Sequence, residues 1–447
     1  MRLFQQGPAM SSNPLRTTRR RLGGSALALA LSLGACDSVL EVHDPDIILE
    51  ATSAAGAVAL HNGVFLRLAQ ATTAGGDNPD GLFLFTGLFV DEFQSGDTFE
   101  QRNTTDQRQI AETNSFLSNL SNRIHRVRTE GRAAVDALRE FAPVPQERIG
   151  VMFSLIAFAE NQIGEAWCNG VSFSGVSGPT PVYGDPVPYD SAFRRAINHA
   201  DSALANQTGP NSAEVANLAS VVKARALLNR DLHAEAAAQV AGVPTDFVFQ
   251  LGHSVNAADN ALWLQNVSLK RYTVSDNEGI NGLPFKTAAD PRVPTVTSGF
   301  TFDNSGPWTG QQIWVTRDAP VTIASGIEAR LIEAEAALRA GNAAGFITKL
   351  NEAWATNAAL APLADPGSDI ARQDLLFSER AFWLFGTGHR LGDLRRLVRQ
   401  YGRAQDAVFP TGTWFRGGPY GSDVNFPIPF NETNNPNSPT GCTDRNA

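Results

Sequence analysis

The most conspicuous pair of acidic residues in the chain is Asp91-Glu92. Two carboxylates on either side of a glycosidic bond can hydrolyse it, but adjacent residues point to different sides of a helix or a strand. The seven histidines include no pair at metal-ligand spacing with a carboxylate, and the sequence has neither a nucleophile elbow nor a Gly-rich phosphate loop. These observations predict a protein that is not an enzyme and that uses no metal ion or other cofactor.

Cys36 is a second residue whose position indicates chemistry. It ends the sequence LGAC at positions 33–36, which resembles the lipobox of bacterial lipoprotein signals. A basic block at 16–21 comes first, and the apolar run after it is about 12 residues long, whereas a membrane span needs roughly 20. We therefore predict that residues 1–35 are a lipoprotein signal peptide and that Cys36 is the lipidated first residue of the mature protein. An ordinary signal peptide with a coincidental cysteine is the alternative.

The two other cysteines are Cys168 and Cys442. An exported chain reaches an oxidising compartment, where an even pair of cysteines can form a disulfide. Such a bridge would attach the C-terminal tail to the body of the protein. Two independent buried thiols are the alternative.

The charge of the chain limits its partners. The net charge is -9 at pH 7, and the five arginines of residues 1–35 have no acidic residue beside them, so the rest of the chain is still more acidic. An acidic surface argues against binding to nucleic acid.

The apolar run GLFLFTGLFV at 81–90 is too short to span a bilayer and is predicted to be buried. Residues 36–447 are therefore predicted to form one domain with a large core.

Helical periodicity dominates this domain, which places it in the mainly α class. The single helices are predicted at 51–72, 108–141 (a long helix or a pair broken at Gly131), 146–167 and 190–206. Two helical pairs follow, 213–228 with 232–241 and 327–339 with 344–359, within hairpin regions at about 190–245 and 322–362. Each pair has a tight turn, a closing proline and many alanines, and resembles a tetratricopeptide hairpin; generic Ala-rich hairpins are the alternative. A loop-rich insertion at about 245–320 separates the pairs and is predicted to carry binding residues.

The C-terminal sequence ERAFWLFGTGHRLGDLRR at 379–396 is similar to the signature of the SusD/RagB family of outer-membrane nutrient-binding lipoproteins. Three further segments agree with it in order: CDSVLEVHDP at 36–45, SGIEARLIEAEAALRAGN at 325–342 and NFPIPFNETNNPN at 425–437. The sequence departs from the family's signature at Leu391-Gly392, where the family often has an aromatic pair. This difference affects the expected packing of the turn and not the resemblance itself. We interpret the charged residues of the signature as structural ion pairs and helix caps, and these are Glu379, His389, Arg390, Asp393 and Arg395.

The resemblance implies a SusD-like helical body and a location at the outer membrane, lipid-anchored and facing outside. It implies a protein that captures an oligosaccharide or another nutrient and delivers it to a TonB-dependent outer-membrane transporter. Sugars bind to aromatic faces and planar polar groups. The candidate ligand-binding residues are Trp308 and Trp414, in turn-rich segments that could expose them, and Asp91, Asp97 and Arg102 in the segment DEFQSGDTFEQR. For each, a packed or solvated loop residue is the alternative.

Two tryptophans, Trp354 and Trp383, lie within helical periods and are predicted to be core residues. A different class of function also fits the helical hairpins, namely a tetratricopeptide-type adaptor that binds a protein partner and no small molecule. Shallow loops with few aromatic residues would favour the adaptor, whereas a site that collects aromatic and polar groups would favour nutrient binding.

Overall fold

The computed structural model describes residues 51–73, 80–177, 180–256 and 258–447. The predicted signal peptide and Cys36 lie outside these residues. The helices are α1 (Ala54–Thr72), α2 (Leu82–Phe89), α3 (Glu100–Asp106), α4 (Ser115–Phe141), α5 (Glu147–Ala166), α6 (Tyr189–Ala205), α7 (Ser212–Asn229), α8 (His233–Val240), α9 (Gly326–Arg339), α10 (Ala343–Trp354), α11 (Asp369–Trp383) and α12 (Arg390–Arg399). A π-helix (Leu262–Ser268) and two short 3₁₀ helices (Gln405–Ala407, Phe430–Asn434) complete the set among the described residues.

Polar residues define where several helices begin. The side chains of Ser53, Asn114, Ser325, Asn342 and Ser368 each accept a hydrogen bond from a backbone N–H in the first turn of α1, α4, α9, α10 and α11. These bonds satisfy donors that have no partner inside the helix. The boundaries of these helices therefore follow from local sequence.

The strands are short and pair in twos. They are β1 (Phe93–Ser95), β2 (Val171–Ser172), β3 (Gly175–Ser177), β4 (Thr180–Val182), β5 (Pro186–Val187), β6 (Val248–Leu251), β7 (Tyr272–Val274), β8 (Thr295–Phe300), β9 (Pro307–Gln311) and β10 (Val321–Ser325). The antiparallel pairs are β1–β7, β2–β5, β3–β4, β6–β10 and β8–β9. The described part of 245–320 consists of such strands, the π-helix and irregular loops, as its composition predicts.

The predicted helical hairpins are present. Helix α7 packs on α8, α9 packs on α10, and α8 also packs on α9, so the two hairpins form one stack although the insertion separates them in sequence. The fold class is confirmed: a mainly helical body with tetratricopeptide-type hairpins and a long irregular insertion. The second hairpin is shorter than predicted, because α10 ends at Trp354 and a succession of turns follows it.

Of the two forms predicted for 108–141, the single long helix is confirmed, because α4 continues through Gly131 without a break. A Cβ atom on Gly131 would lie 2.7 Å from Cγ1 of Ile156 on α5, so the glycine permits close packing of the two helices. The predicted start at 108 is wrong, because Arg108 has a φ angle of 58° and lies in the turn after α3, whereas α4 begins at Ser115.

Helix α2 forms the apolar centre of the protein. All eight of its residues are buried, which agrees with the prediction for the run at 81–90. Among the described residues, no helix is both long enough and apolar enough to cross a membrane.

The charged residues of 379–396 are structural, as their sequence context predicts. Arg395 donates three hydrogen bonds, at 2.7–3.1 Å, to the carbonyls of Gly164, Glu165 and Trp167, and so caps the C-terminus of α5. The buried ion pairs are Glu379–Arg292, His389–Glu328, Arg390–Asp91, Arg396–Glu335 and Asp393 with both Arg380 and Arg396. These contacts attach α11 and α12 to the core.

A disulfide joins Cys168, directly after α5, to Cys442 in the C-terminal tail. Asn169 next to it donates to both carboxylate oxygens of Asp444 at 3.0 and 2.9 Å. The tail is therefore attached to the helical body at one place by covalent and polar contacts.

Candidate functional site

The five candidate binding residues are all buried. Trp308 and Trp414 are only 5% and 8% exposed, so the alternative of packed loop residues describes them. Trp308 lies on β9 and its Nε1 donates to the carbonyl of Asn266 at 2.7 Å, while the backbone of Trp414 closes a tight turn with Gly418. Both side chains support loops from below and do not present a face to solvent.

Asp91 lies apart from the other four residues. It accepts two hydrogen bonds from Arg390, at 2.8 and 2.9 Å, and one from the backbone N–H of Leu283. The neighbouring Glu92 instead accepts from the backbone N–H of Gly386 at 2.9 Å. The pair Asp91-Glu92 therefore connects different parts of the core, in line with the prediction that it is not a catalytic pair.

Arg102 is at the centre of a buried charge cluster. Its guanidinium group donates to both carboxylate oxygens of Asp80, at 2.6 and 2.8 Å, and also binds Asp97. The same group lies 4.9 Å from the ring centroid of Phe116 and 5.5 Å from that of Tyr272. Arg102 is completely buried, so it is a structural residue and cannot reach a ligand at the surface.

Asp97 links this buried cluster to the surface. Besides Arg102, it binds Arg271, whose Nη1 donates to Oδ1 of Asp97 at 2.6 Å. Arg271 is 20% exposed and lies between two aromatic rings, 5.6 Å from the centroid of Phe99 and 3.8 Å from that of Phe302. Asp97 binds both arginines, so the buried Arg102 and the partly exposed Arg271 are positioned relative to each other by one carboxylate.

The aromatic platform, as we call it, consists of Phe99, Phe302 and Phe415 with Arg271 and Arg416. The three phenylalanines are 48%, 47% and 41% exposed, an unusual state for side chains of this size. The Arg416 guanidinium carbon lies 5.0 Å from the ring centroid of Phe415. Flat aromatic faces therefore alternate with guanidinium groups across this surface.

Three chain segments are joined beneath the platform by backbone hydrogen bonds. The N–H of Gly96 donates to Arg271, that of Phe302 to Lys270, and that of Asp303 to Gly96, at 2.8, 2.9 and 3.1 Å. A Cβ atom on Gly96 would lie 2.6 Å from the side chain of Thr301, so only glycine allows this approach. The loop before α3 and the turn between β8 and β9 are thereby held in fixed positions.

Arg416 attaches a fourth segment, the loop that carries Phe415. It forms an ion pair with Asp303 at 2.5 Å and donates to the carbonyls of Ser95 and Asp97 at 2.7 and 3.3 Å. The loop that carries Phe415 is therefore tied to the same two segments that carry Phe99 and Phe302.

A buried pair of carboxyl groups, Asp106 and Glu278, lies below these loops. Asp106 accepts from the N–H of Ser95 at 2.9 Å, and Glu278 accepts from the hydroxyl of Tyr420 at 3.0 Å. Burial raises the pKa of Asp106 to about 6, and burial together with the charge of Asp106 raises the pKa of Glu278. The pair therefore retains a proton near neutral pH, which avoids two adjacent buried charges.

The residues of the platform are not the predicted ones, but they lie next to them. Phe99 is in the segment that contains Asp97 and Arg102, and Phe415-Arg416 follows Trp414 directly. The alternation of Phe300 and Phe302 around the β8–β9 turn, in GFTFDNSG, is a signal that could have indicated exposed rings. Among the described residues, no group of three or more His, Cys, Asp or Glu side chains could hold a metal ion.

Neither a protein-family profile nor a curated protein sequence matches the chain, whereas solved structures do. A SusD superfamily protein from Parabacteroides distasonis has a TM-score of 0.65 at 15% identity, over 87% of this chain and 98% of that one. One from Bacteroides fragilis has a TM-score of 0.63 at 16% identity, over 85% and 97%. A SusD-like carbohydrate binding protein from Bacteroides vulgatus has a TM-score of 0.57 at 11% identity, over 76% and 83%. The chain thus has the fold of the SusD superfamily.

Proposed function

From this SusD-like fold, we propose that the protein is a lipid-anchored binding protein of the outer membrane that captures an oligosaccharide. The observation that carries the proposal is the aromatic platform. One neighbour in fold is a carbohydrate binding protein by its name, which supports the same ligand class. The protein acts as a carrier and not as an enzyme.

The platform has the two kinds of group that sugar recognition needs. Phenylalanine rings can pack against the apolar face of a pyranose ring, and guanidinium groups can donate to its hydroxyl groups. Arg271 binds Asp97 through Nη1, and a guanidinium group has five N–H donors, so further donors are available to a ligand. Because the loops are tied together in advance, little ordering entropy is lost on binding.

We propose that the captured ligand passes to a TonB-dependent transporter. A lipid at Cys36 would hold the protein at the membrane, which makes the transfer distance short. The stacked hairpins α7–α8 and α9–α10 offer a rigid surface for such a partner. A carrier must release its ligand, so the affinity should be about micromolar, corresponding to roughly -8.2 kcal/mol.

A glycan array followed by titration tests the ligand class. We expect residues 37–447 to bind at least one oligosaccharide, and Phe302→Ala and Phe99→Ala each to weaken binding about tenfold or more. The matched control is Phe430→Ala, because Phe430 is 62% exposed on the 3₁₀ helix of the tail and is not part of the platform. Binding of no glycan, or equal losses in all three variants, would contradict the proposal.

Co-purification from detergent-solubilised outer membrane tests the partner. We expect a large β-barrel protein to be recovered with the wild-type chain, and also with Phe302→Ala, because the platform is not the proposed contact with the transporter. Recovery of a different protein partner together with no glycan binding would favour the tetratricopeptide-type adaptor.

A further inference from the structure

A second concave site lies on another part of the protein. It is a cavity of about 390 Å³ between the paired strands β6 and β10, the start of α9, the end of α11 and the loop at 313–320. This volume is within the ~300–1,000 Å³ range of small-molecule sites. None of the described residues that line the cavity belongs to the aromatic platform.

The walls of the cavity are aromatic. Trp314, Phe382 and Trp383 line it, and Trp383 is half-buried although its helical period predicts a core position. Trp354 is half-buried as well, and the Arg292 guanidinium carbon lies 5.2 Å from the ring centroids of both tryptophans. The two tryptophans are thus less buried than core residues: Trp383 packs against the core but also lines the cavity, and Trp354 is only half-buried.

Three polar atoms of the lining have no hydrogen-bond partner among the described residues. They are Oε1 of Glu328, Nε2 of His389 and Nε1 of Trp383. Glu328 and His389 are 2% and 4% exposed, and the two atoms form an ion pair at 3.2 Å without the geometry of a hydrogen bond. Buried polar atoms usually have hydrogen-bond partners, so this group of atoms at one cavity indicates room for a ligand that supplies them.

The charges of the lining are already balanced. Arg292 pairs with Glu379 and Asp290, and Glu328 pairs with His389. Burial raises the pKa of Glu328, but the positive charges of His389, Arg225 and Arg380 lower it overall, so the side chain is an anionic acceptor. A neutral ligand would add no unpaired charge, whereas an anion would face the Glu328 carboxylate.

The cavity opens to solvent. Val248 on β6 and Ile313 are among its lining residues and are 49% and 37% exposed. The side of the cavity between β6 and the loop at 313–320 therefore reaches the surface.

We propose that this cavity is a second ligand site, which takes one neutral ring compound with several hydroxyl groups, of monosaccharide size. The ring packs against Trp383, a hydroxyl group accepts from Nε1 of Trp383, and another donates to Oε1 of Glu328. The proposal does not rest on the function of the platform, because the two sites share no side chain among the described residues.

The test uses residues 37–447 and a panel of D-glucose, D-galactose, D-mannose, L-arabinose and N-acetyl-D-glucosamine at high millimolar concentration. Saturation-transfer NMR and tryptophan fluorescence report binding. Thr322→Trp fills the cavity from a half-buried position on β10, and Thr295→Trp on β8 is the matched control outside the cavity. Trp383→Phe keeps an aromatic ring but removes the Nε1–H together with part of the indole.

We expect saturable binding of at least one sugar, which Thr322→Trp abolishes and Trp383→Phe weakens about fivefold or more, because one hydrogen bond and part of the stacking surface are lost. Thr295→Trp and Phe302→Ala should leave it unchanged. Absence of saturable binding for every sugar of the panel overturns the proposal. Binding that persists in Thr322→Trp also overturns the proposal. If that persisting binding is lost in Phe302→Ala, the sugar occupies the aromatic platform, and this result supports the function proposed for the platform.

Discussion

Arg271 and Asp97 form an ion pair in which one partner is buried and the other reaches the surface. Nη1 of Arg271 donates to Oδ1 of Asp97 at 2.6 Å, and the same guanidinium group lies 3.8 Å from the ring centroid of Phe302. Asp97 also binds the buried Arg102. The carboxylate of Asp97 therefore holds an outer arginine and an inner arginine at once, and the orientation of the platform depends on a residue that no ligand touches.

This arrangement predicts the effect of Asp97→Asn. The substitution leaves Arg102 buried with less opposite charge, and loss of one partner from a buried ion pair costs about 3–5 kcal/mol. We expect the free energy of unfolding, measured by urea denaturation, to fall by this amount. Ligand binding at the platform should also weaken under conditions where the variant is still folded, because Arg271 loses its partner.

The matched control is Asp374→Asn. Asp374 is 58% exposed and binds Arg403 at 2.8 Å, and an exposed ion pair contributes less than about 1 kcal/mol. Equal destabilisation by the two substitutions would show that Asp97 has no special role beneath the platform.

The disulfide predicts a second stability effect. Cys168 and Cys442 are 274 residues apart in sequence, so their bridge restricts the unfolded chain strongly. The double variant Cys168→Ser/Cys442→Ser should lose about 2–5 kcal/mol of the free energy of unfolding. Thiol titration of unreduced, denatured protein without Cys36 should find no free thiol, and two free thiols would refute the bridge.

The parts of the fold that could be predicted depend on local patterns. The positions of α1, α5, α6 and the paired hairpins follow from helical periodicity and capping residues, which act within one or two turns. Local sequence left open whether 108–141 is one helix or a pair broken at Gly131, because Ile156, on another helix, determines what that glycine does. Contacts between distant segments cannot be read from periodicity.

The candidate site could also be predicted only in part from local sequence. The segments around Asp97 and Trp414 are the right ones, but the exposed residues are Phe99 and Phe415. Tryptophan is the largest side chain and packs under the loops, while the phenylalanine beside it points outwards. Which of two adjacent aromatic residues is exposed depends on the backbone hydrogen bonds that join three loops at Gly96. These contacts between distant segments cannot be predicted from local sequence.

Cys36 carries a prediction about the membrane. Cys36→Ala should release the protein from the membrane fraction and abolish labelling with fatty acid, because the thiol is the proposed attachment site. Fractionation after metabolic labelling measures both effects. The double variant Cys168→Ser/Cys442→Ser is the control and should keep its label. A labelled, membrane-bound Cys36→Ala protein would contradict the lipoprotein interpretation.

Glu92 predicts how stability depends on pH. It is 1% exposed, and burial raises its pKa from 4.5 to about 8, while the N–H of Gly386 and the charge of Arg390 partly oppose this. The folded protein therefore holds a proton that the unfolded chain releases between these two values. Stability contributed by this group is complete below about pH 4.5, falls as the pH rises, and is lost by about pH 8, at up to about 1.4 kcal/mol per pH unit.

Glu92→Gln should remove this dependence, because the amide is neutral at every pH and its oxygen can still accept from Gly386. In urea denaturation at about pH 5 and about pH 8, we expect the variant to gain stability relative to wild type as the pH rises. Glu235→Gln, at an exposed position on α8, is the control and should show a constant difference. A difference in the free energy of unfolding between Glu92→Gln and wild type that is the same at both pH values would contradict this prediction. Glu92 would then be charged in the folded protein, and its contact with Gly386 would join α11 and α12 to the core through a buried anion.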